Sequence, residues 1–227
     1  MRDVLLFDLD GTLVDSAPGI ALALSRLSSA RGGGVVPTDR VRPLVSLGAE
    51  ALVGRALGPV AGDSAADVVA FRTILAALPA DPASLYPDVS ITLDALAEAG
   101  FAMGIVTNKP ERLSLTLIEG LGLGRHFQAL VGGDTTGRAK PHPAPLELAL
   151  HRLGTTATRA IFIGDSAVDA GAARALALPF VLFERGYGAA SCDRRDVAAA
   201  FDRFADLPGI LANLHSAGAQ AEAFPGD

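Results

Sequence analysis

Residues Val4 to Ser16 read V-L-L-F-D-L-D-G-T-L-V-D-S, an apolar run that ends in two aspartates one residue apart. In an extended chain, side chains two apart point the same way, so Asp8 and Asp10 can face one site together. Two carboxylates that close repel each other unless a cation or a shared proton holds them. The arrangement suggests a metal-assisted site in which one carboxylate attacks and the other moves protons. The plainer alternative is a polar turn after a core strand, because Asp and Gly are common turn residues. The rest of the chain decides between them.

Three further polar clusters follow a predicted core strand or stand near the end of one: Val106-Thr107-Asn108-Lys109, Gly137-Arg138-Ala139-Lys140-Pro141-His142-Pro143, and Ile163-Gly164-Asp165-Ser166-Ala167-Val168-Asp169. Taken singly, each has a structural explanation: Thr-Asn as a helix start, Lys-Pro as a loop, Gly-Asp-Ser as an N-cap. Asp169 stands four residues beyond Asp165, about one helical turn. Lysine usage adds weight, since the chain has 17 arginines but only Lys109 and Lys140. Arginine is a planar fork and lysine a compact point charge. A chain that keeps two lysines beside polar clusters suggests two places where an ammonium group is needed, with chance the alternative for either one singly.

The elements that would position these residues alternate. Val4–Phe7 reads as a buried strand, and ligands in parallel folds sit beyond the strand C-termini. Asp15 or Ser16 can cap a helix reaching about Ala30, and two more helices are expected over Asp39–Leu57 and Asp63–Leu78. Beyond three prolines between Pro79 and Pro87, the pattern becomes helix Asp88–Ala99, strand Ala102–Thr107, helix Pro110–Leu121 and strand Ala129–Val131. Helix Pro143–Leu153, strand Ala160–Gly164, helix Ala167–Ala177, strand Phe180–Phe183 and a short helix at Leu207–His215 follow. This order predicts a Rossmann-like, doubly wound parallel α/β sheet. Residues 1–15 and 86–227 form that core, with 217–227 a loose tail, and residues 16–85 are an inserted all-helical domain. The insertion leaves from the edge of the sheet where the aspartates lie, so it is placed to act as a hinged lid.

Composition excludes several classes. A net charge of −6 argues against broad nucleic-acid affinity, which needs a basic face. Cys192 is the only cysteine, so no intrachain disulfide is possible and a reducing compartment is natural. Met1-Arg2-Asp3 leads straight into the first strand, which leaves no room for a signal peptide. No apolar run approaches the roughly 20 residues of a membrane span. A cytoplasmic protein, monomeric or homodimeric, is expected.

In order and spacing, the four clusters resemble the haloacid dehalogenase superfamily, and the likeness spans nearly the whole chain. Asp8-Leu-Asp-Gly-Thr12 is similar to the family's first motif, Thr107 to its second, Lys140 to its third, and Gly164-Asp165 with Asp169 to its fourth. The insertion is similar to the family's helical cap of the first type. The resemblance implies that Asp8 is a nucleophile forming an aspartyl-phosphate and that Asp10 is the general acid and base. It implies Mg2+ held by the Asp8 carboxylate, the Asp10 main-chain carbonyl and Asp165. Thr107 and the Asn108 backbone would bind the phosphoryl oxygens, Lys140 would neutralise charge, and Asp169 would orient Lys140 or a metal-bound water. Asp8, Asp10, Asp165 and Asp169 together carry a formal −4, which the divalent ion and Lys140 nearly balance.

The resemblance also narrows the reaction. A dehalogenase lacks the second aspartate, and a phosphonate-cleaving relative uses a cap lysine that residues 16–85 do not contain. A Mg2+-dependent phosphatase acting on a small phosphorylated metabolite is expected, with a phosphomutase less so and a non-enzymatic binding module least. Within the superfamily the motifs look most like those of bacterial phosphoglycolate phosphatases, a group that also includes enzymes for sugar phosphates and other small phosphates. Cap residues Arg42, Gly48 and Arg55 are the candidates for reading the substrate, with Arg185 a further one from the core. An arginine fork pairs with a carboxylate through two parallel bonds. Ser46 stands where that group has a glycine, and Arg185-Gly-Tyr-Gly188 only partly matches its Tyr-Gly-Tyr stretch. His142 and His151 are expected to be structural.

Overall fold

The computed structural model describes residues 3–214. The expected tail at 217–227 and the end of the expected C-terminal helix lie outside the described residues. Among the described residues, six strands form one sheet: β1 (Val4–Phe7), β2 (Ala102–Val106), β3 (Ala129–Val131), β4 (Ala160–Gly164), β5 (Phe180–Phe183) and β6 (Ala199–Phe201). Their order is β3-β2-β1-β4-β5-β6, and every neighbouring pair is parallel. β1, β4 and β5 are buried along their whole length, as parallel strands are when helices cover both faces. The two-residue alternation divides the core. Leu5 and Phe7 pack with Ile105, Ile163 and Phe183 on one face, while Val4 and Leu6 pack with Val106, Phe162 and Leu182 on the other.

The chain between β1 and β2 begins with four helices, α1 (Ala17–Ser29), α2 (Thr38–Val41), α3 (Ala49–Leu57) and α4 (Ser64–Ala76). They close around an apolar cluster of their own that includes Ile20, Leu24, Val41, Leu52, Leu57 and Phe71. The core helices are α5 (Val89–Glu98), α6 (Glu111–Gly120), α7 (Ala144–Arg152) and α8 (Ala167–Ala175), with a last helical stretch over 207–214.

Three expectations need correction. The single helix expected over Asp39–Leu57 is broken into α2, a 3-10 stretch at Arg42–Leu47, and α3. Pro43 supplies no N–H to a continuing helix, and its ring clashes with the preceding turn. Gly48 then takes φ +87, a region only glycine enters readily. Second, neither Asp15 nor Ser16 caps α1 through its side chain: Ser16 sits at φ −80, ψ −9 with no capping bond. The first amide of that helix, Ala17 N–H, donates instead to the Tyr187 hydroxyl at 3.0 Å. Third, β6 went unforeseen. Ala-Ala-Phe has no strand signature of its own, and it pairs because Val181 to Phe183 offer an open ladder edge.

The strand order reverses between β1 and β4, and chains leaving two such strands diverge to leave a crevice. Asp8 and Asp165 stand immediately beyond the C-terminal ends of those two strands.

Candidate active site

Asp8 extends the β1–β4 ladder by one bond, its N–H donating to Ile163 O at 2.9 Å, so its side chain is fixed by the sheet. The chain then turns sharply, with Leu9 O accepting from the N–H groups of Leu13 and Val14, both at 3.0 Å. Gly11 occupies φ +91 in this turn, and a Cβ there would press into the Asp165 and Tyr187 side chains. The glycine of the first cluster is therefore required by both backbone conformation and space.

Lys140 organises the centre. Its ammonium donates to Asp8 Oδ1, Asp169 Oδ1 and Val106 O, each at 2.7 Å. These three acceptors match the three N–H bonds of an ammonium. The group also lies 5.3 Å from the centroid of the Phe162 ring. Its side chain is 2% exposed. Burial opposes its charge, but Asp169 and Asp8 outweigh that and lift its pKa above the ordinary value. The Asn108 side chain holds the Lys140 backbone from both sides, Nδ2 donating to Lys140 O at 3.0 Å and Oδ1 accepting from Lys140 N at 2.9 Å.

Asp165, 1% exposed, faces this group from β4. Its Oδ1 accepts from the Thr12 hydroxyl at 3.2 Å, and its Oδ2 from Tyr187 N–H at 2.7 Å and Gly188 N–H at 3.2 Å. Asp169, the third residue of α8, closes a capping box with Ser166, its Oδ2 accepting from Ser166 N–H and Oγ–H. Burial raises Asp8 to about 7, the nearby Asp169 charge adding to the effect and Lys140 opposing it. Burial likewise raises Asp165 to about 8, reinforced by Asp169 and Asp8.

Asp10 lies beside this trio, and Lys109 Nζ donates to both its oxygens at 3.2 and 3.3 Å. Thr107 Oγ1 accepts from Lys109 N–H at 3.2 Å, which leaves its own hydroxyl proton to donate elsewhere. A cleft of about 630 Å3 opens next to Lys109, between α1, residues 79–84 and α6.

The residues fit a divalent ion on the chemistry of their donors. Oxygens of Asp8, Asp165 and Asp169 lie within 4.8 Å of one another, all buried. Burial makes Asp8 and Asp165 reluctant to ionise, and with the Asp169 carboxylate beside them they form a cluster that a hard cation would stabilise.

The structure brings Asp8, Asp10, Thr107, Asn108, Lys140, Asp165 and Asp169 to one edge of the sheet. Arg55 is exposed on α3 and its carbonyl accepts from Arg40, while a Cβ on Gly48 would meet nothing within 4 Å. Arg42 is already engaged, its two terminal nitrogens donating to the two oxygens of Asp15 at 3.0 and 2.8 Å. Arg185 is exposed. His142 Nδ1 accepts from Ala144 N–H at the start of α7, a structural bond. Sequence reasoning missed the partners Thr12, Asp15 and Tyr187. The first two lie inside the opening cluster, and Tyr187 lies in the Arg185–Gly188 stretch, so composition marked the segments without revealing the contacts.

The parallel sheet, the inserted helices and this acidic edge define the class. A family model described as haloacid dehalogenase-like hydrolase matches residues 5–183, and the chain belongs to that family. It is 38% identical over 216 residues to a phosphoglycolate phosphatase of Rhodospirillum rubrum, covering 91% of this chain and 90% of that protein. It is also 38% identical over 217 residues to a phosphoglycolate phosphatase of Rhodobacter capsulatus, covering 93% and 97%. Among solved structures, a predicted phosphoglycolate phosphatase from Haemophilus somnus superposes with a TM-score of 0.80 at 27% identity, over 92% of this chain and 97% of that one. Among the described residues, no helix is long and apolar enough to cross a membrane.

Proposed function

We propose that the chain is a Mg2+-dependent phosphatase that hydrolyses a small phosphomonoester, with 2-phosphoglycolate the first candidate substrate. The observation that carries this reading is the Lys140 ammonium bridging Asp8 and Asp169 at 2.7 Å, with Asp165 opposite. Phosphoryl transfer depends mainly on alignment and on stabilising the equatorial oxygens. Asp8 is the nucleophile: its carboxylate attacks phosphorus in line, the ester bond breaks, and the phosphoryl group rests on Asp8. Asp10 donates a proton to the departing alcohol, then takes one from the water that releases phosphate. Lys109, bonded to both Asp10 oxygens, holds that carboxylate in place.

Thr107 Oγ–H and the Asn108 backbone N–H hold the phosphoryl oxygens, and Lys140 balances the charge that gathers on Asp8 and phosphorus. Mg2+ held by Asp8, the Asp10 carbonyl and Asp165 would supply Lewis-acid charge neutralisation. Asp169 orients Lys140. Residues 16–85 serve as a cap that excludes water, over a core made of 1–15 and 86 onward. The names carried by the relatives support phosphoglycolate as substrate. The protein works in the cytoplasm as a monomer or homodimer.

The test is a panel of phosphate esters compared by kcat/KM, with phosphoglycolate beside hexose, amino-sugar and nucleotide phosphates and a generic aryl phosphate. Phosphoglycolate is expected to lead, and Asp8→Asn to abolish release from every ester. A flat profile would remove the substrate assignment, and activity retained by Asp8→Asn would place the nucleophile elsewhere.

A further inference from the structure

Tyr187 stands where three parts of the molecule meet. Its backbone N–H, with that of Gly188, donates to Asp165 Oδ2 and so fixes the rotation of that carboxylate. Its hydroxyl donates to Asp15 Oδ1 at 2.7 Å and accepts from Ala17 N–H, the first amide of α1. Arg42, in the inserted helices, grips the same Asp15 through two bonds and lies 5.7 Å from the centroid of the Tyr187 ring. Gly186 has no side chain and so lets this segment lie flat against Asp165 and the Gly11 carbonyl. Tyr187 is partly buried, and that burial, with the hydrogen bond to Asp15, raises its hydroxyl pKa above the ordinary value.

We propose that Tyr187 is a positioning residue that couples the cap to the metal site, with Arg42 and Asp15 forming a latch that the Tyr187 hydroxyl completes. Arg42 thus acts on cap position and is not free to read a substrate carboxylate. The physical reason is that one residue supplies both connections. Any shift of the cap that pulls on Asp15 or on the α1 N-terminus displaces the Tyr187 ring. The backbone amides holding Asp165 are those of Tyr187 itself and of its neighbour Gly188. Binding at the ligand end must then favour the latched cap, and latching must favour binding by the same factor.

The inference rests on Asp165 being a metal ligand, and the test separates the two. Mg2+ alone is titrated into the intact protein by calorimetry, and amide hydrogen exchange is followed over 14–18 and 80–85 with and without Mg2+. Wild type should bind Mg2+ and gain protection in both segments. Tyr187→Phe keeps the ring and the backbone N–H, and Arg42→Gln touches no ligand. Both should nevertheless bind Mg2+ about fivefold or more weakly and lose the Mg2+-dependent protection. Arg42→Lys, which keeps the charge but not the fork, should recover part of the affinity. Far-UV circular dichroism confirms that each variant is folded. Affinities within twofold of wild type in both variants would overturn the coupling. A wild type that bound no Mg2+ would overturn the metal reading itself and the coupling with it.

Discussion

Replacing Lys140 by methionine tests the organisation of the site most directly. The side chain keeps nearly the same volume and loses only the ammonium, which is buried and donates to three acceptors at 2.7 Å. Two of those acceptors are carboxylates, and a third carboxylate, Asp165, lies within the same cluster. Breaking a buried ion pair by removing one partner costs about 3–5 kcal/mol, because the other charge stays behind unpaired. The orphaned Val106 carbonyl adds about 1–3 kcal/mol if no water reaches it. At roughly 2–4 °C per kcal/mol for a chain of this length, the charge term alone lowers the melting temperature by about 6–20 °C at pH 8.

The loss should shrink near pH 5, where Asp8 and Asp165, already raised by burial, take up protons and relieve the repulsion. Turnover should fall by about 100-fold or more, as it does when one preorganised donor is lost from a transition state. Calorimetric melting at the two pH values and steady-state kinetics with an aryl phosphate measure these outcomes. A Lys140→Met protein that melted with wild type at pH 8 would refute the claim that the ammonium holds the acidic cluster together.

Metal-free protein should lose stability as pH rises from about 4 to about 8. Asp8 and Asp165 are held at about 7 and about 8 in the fold against an ordinary 3.8. The folded state therefore keeps protons that the unfolded chain has released, and the slope is negative between those values. Urea midpoints at pH 5 and pH 8 check the sign, and saturating Mg2+ should flatten the difference. Chelation should abolish turnover while leaving the far-UV circular dichroism unchanged; turnover that survived would remove the metal from the mechanism. Asn108→Ala deletes two hydrogen bonds to the Lys140 backbone, a loss of about 2 kcal/mol at roughly 1 kcal/mol each. It should lower kcat more than it raises KM, because the bonds place Lys140 and not the substrate.

The sequence was most legible where one local rule governed each element. Short apolar runs such as Val4–Phe7 and Ala160–Gly164 have to be buried strands, and polar residues directly after them have to lie at one edge of a parallel sheet. Asp8, Thr107 and Asp165 stand directly after such runs, whereas Lys140 lies in a loop beyond β3 and was named through the resemblance to the family's third motif. The helix spanning Asp39–Leu57 failed because apolar periodicity outweighed Pro43 and Gly48, two residues that each oppose a continuous helix. The Ser16 cap failed because a local rule met a distant competitor, a tyrosine hydroxyl 170 positions away. Asn108 was assigned by its backbone, yet its side chain is what clamps Lys140. Arg42 looked free because its partner, Asp15, is 27 residues away in sequence. Contacts of that span carry no signature in residue spacing, and only the fold reveals them.

The two lysines have a chemical consequence for the protein as a whole. Both are turned inward, one side chain 2% and the other 8% exposed, and both are bonded to aspartates. All other basic side chains of fixed charge are guanidinium groups. The outer surface therefore presents no ε-amine to acylating or aldehyde reagents, so reaction at a lysine would report on the interior of this one crevice and nowhere else.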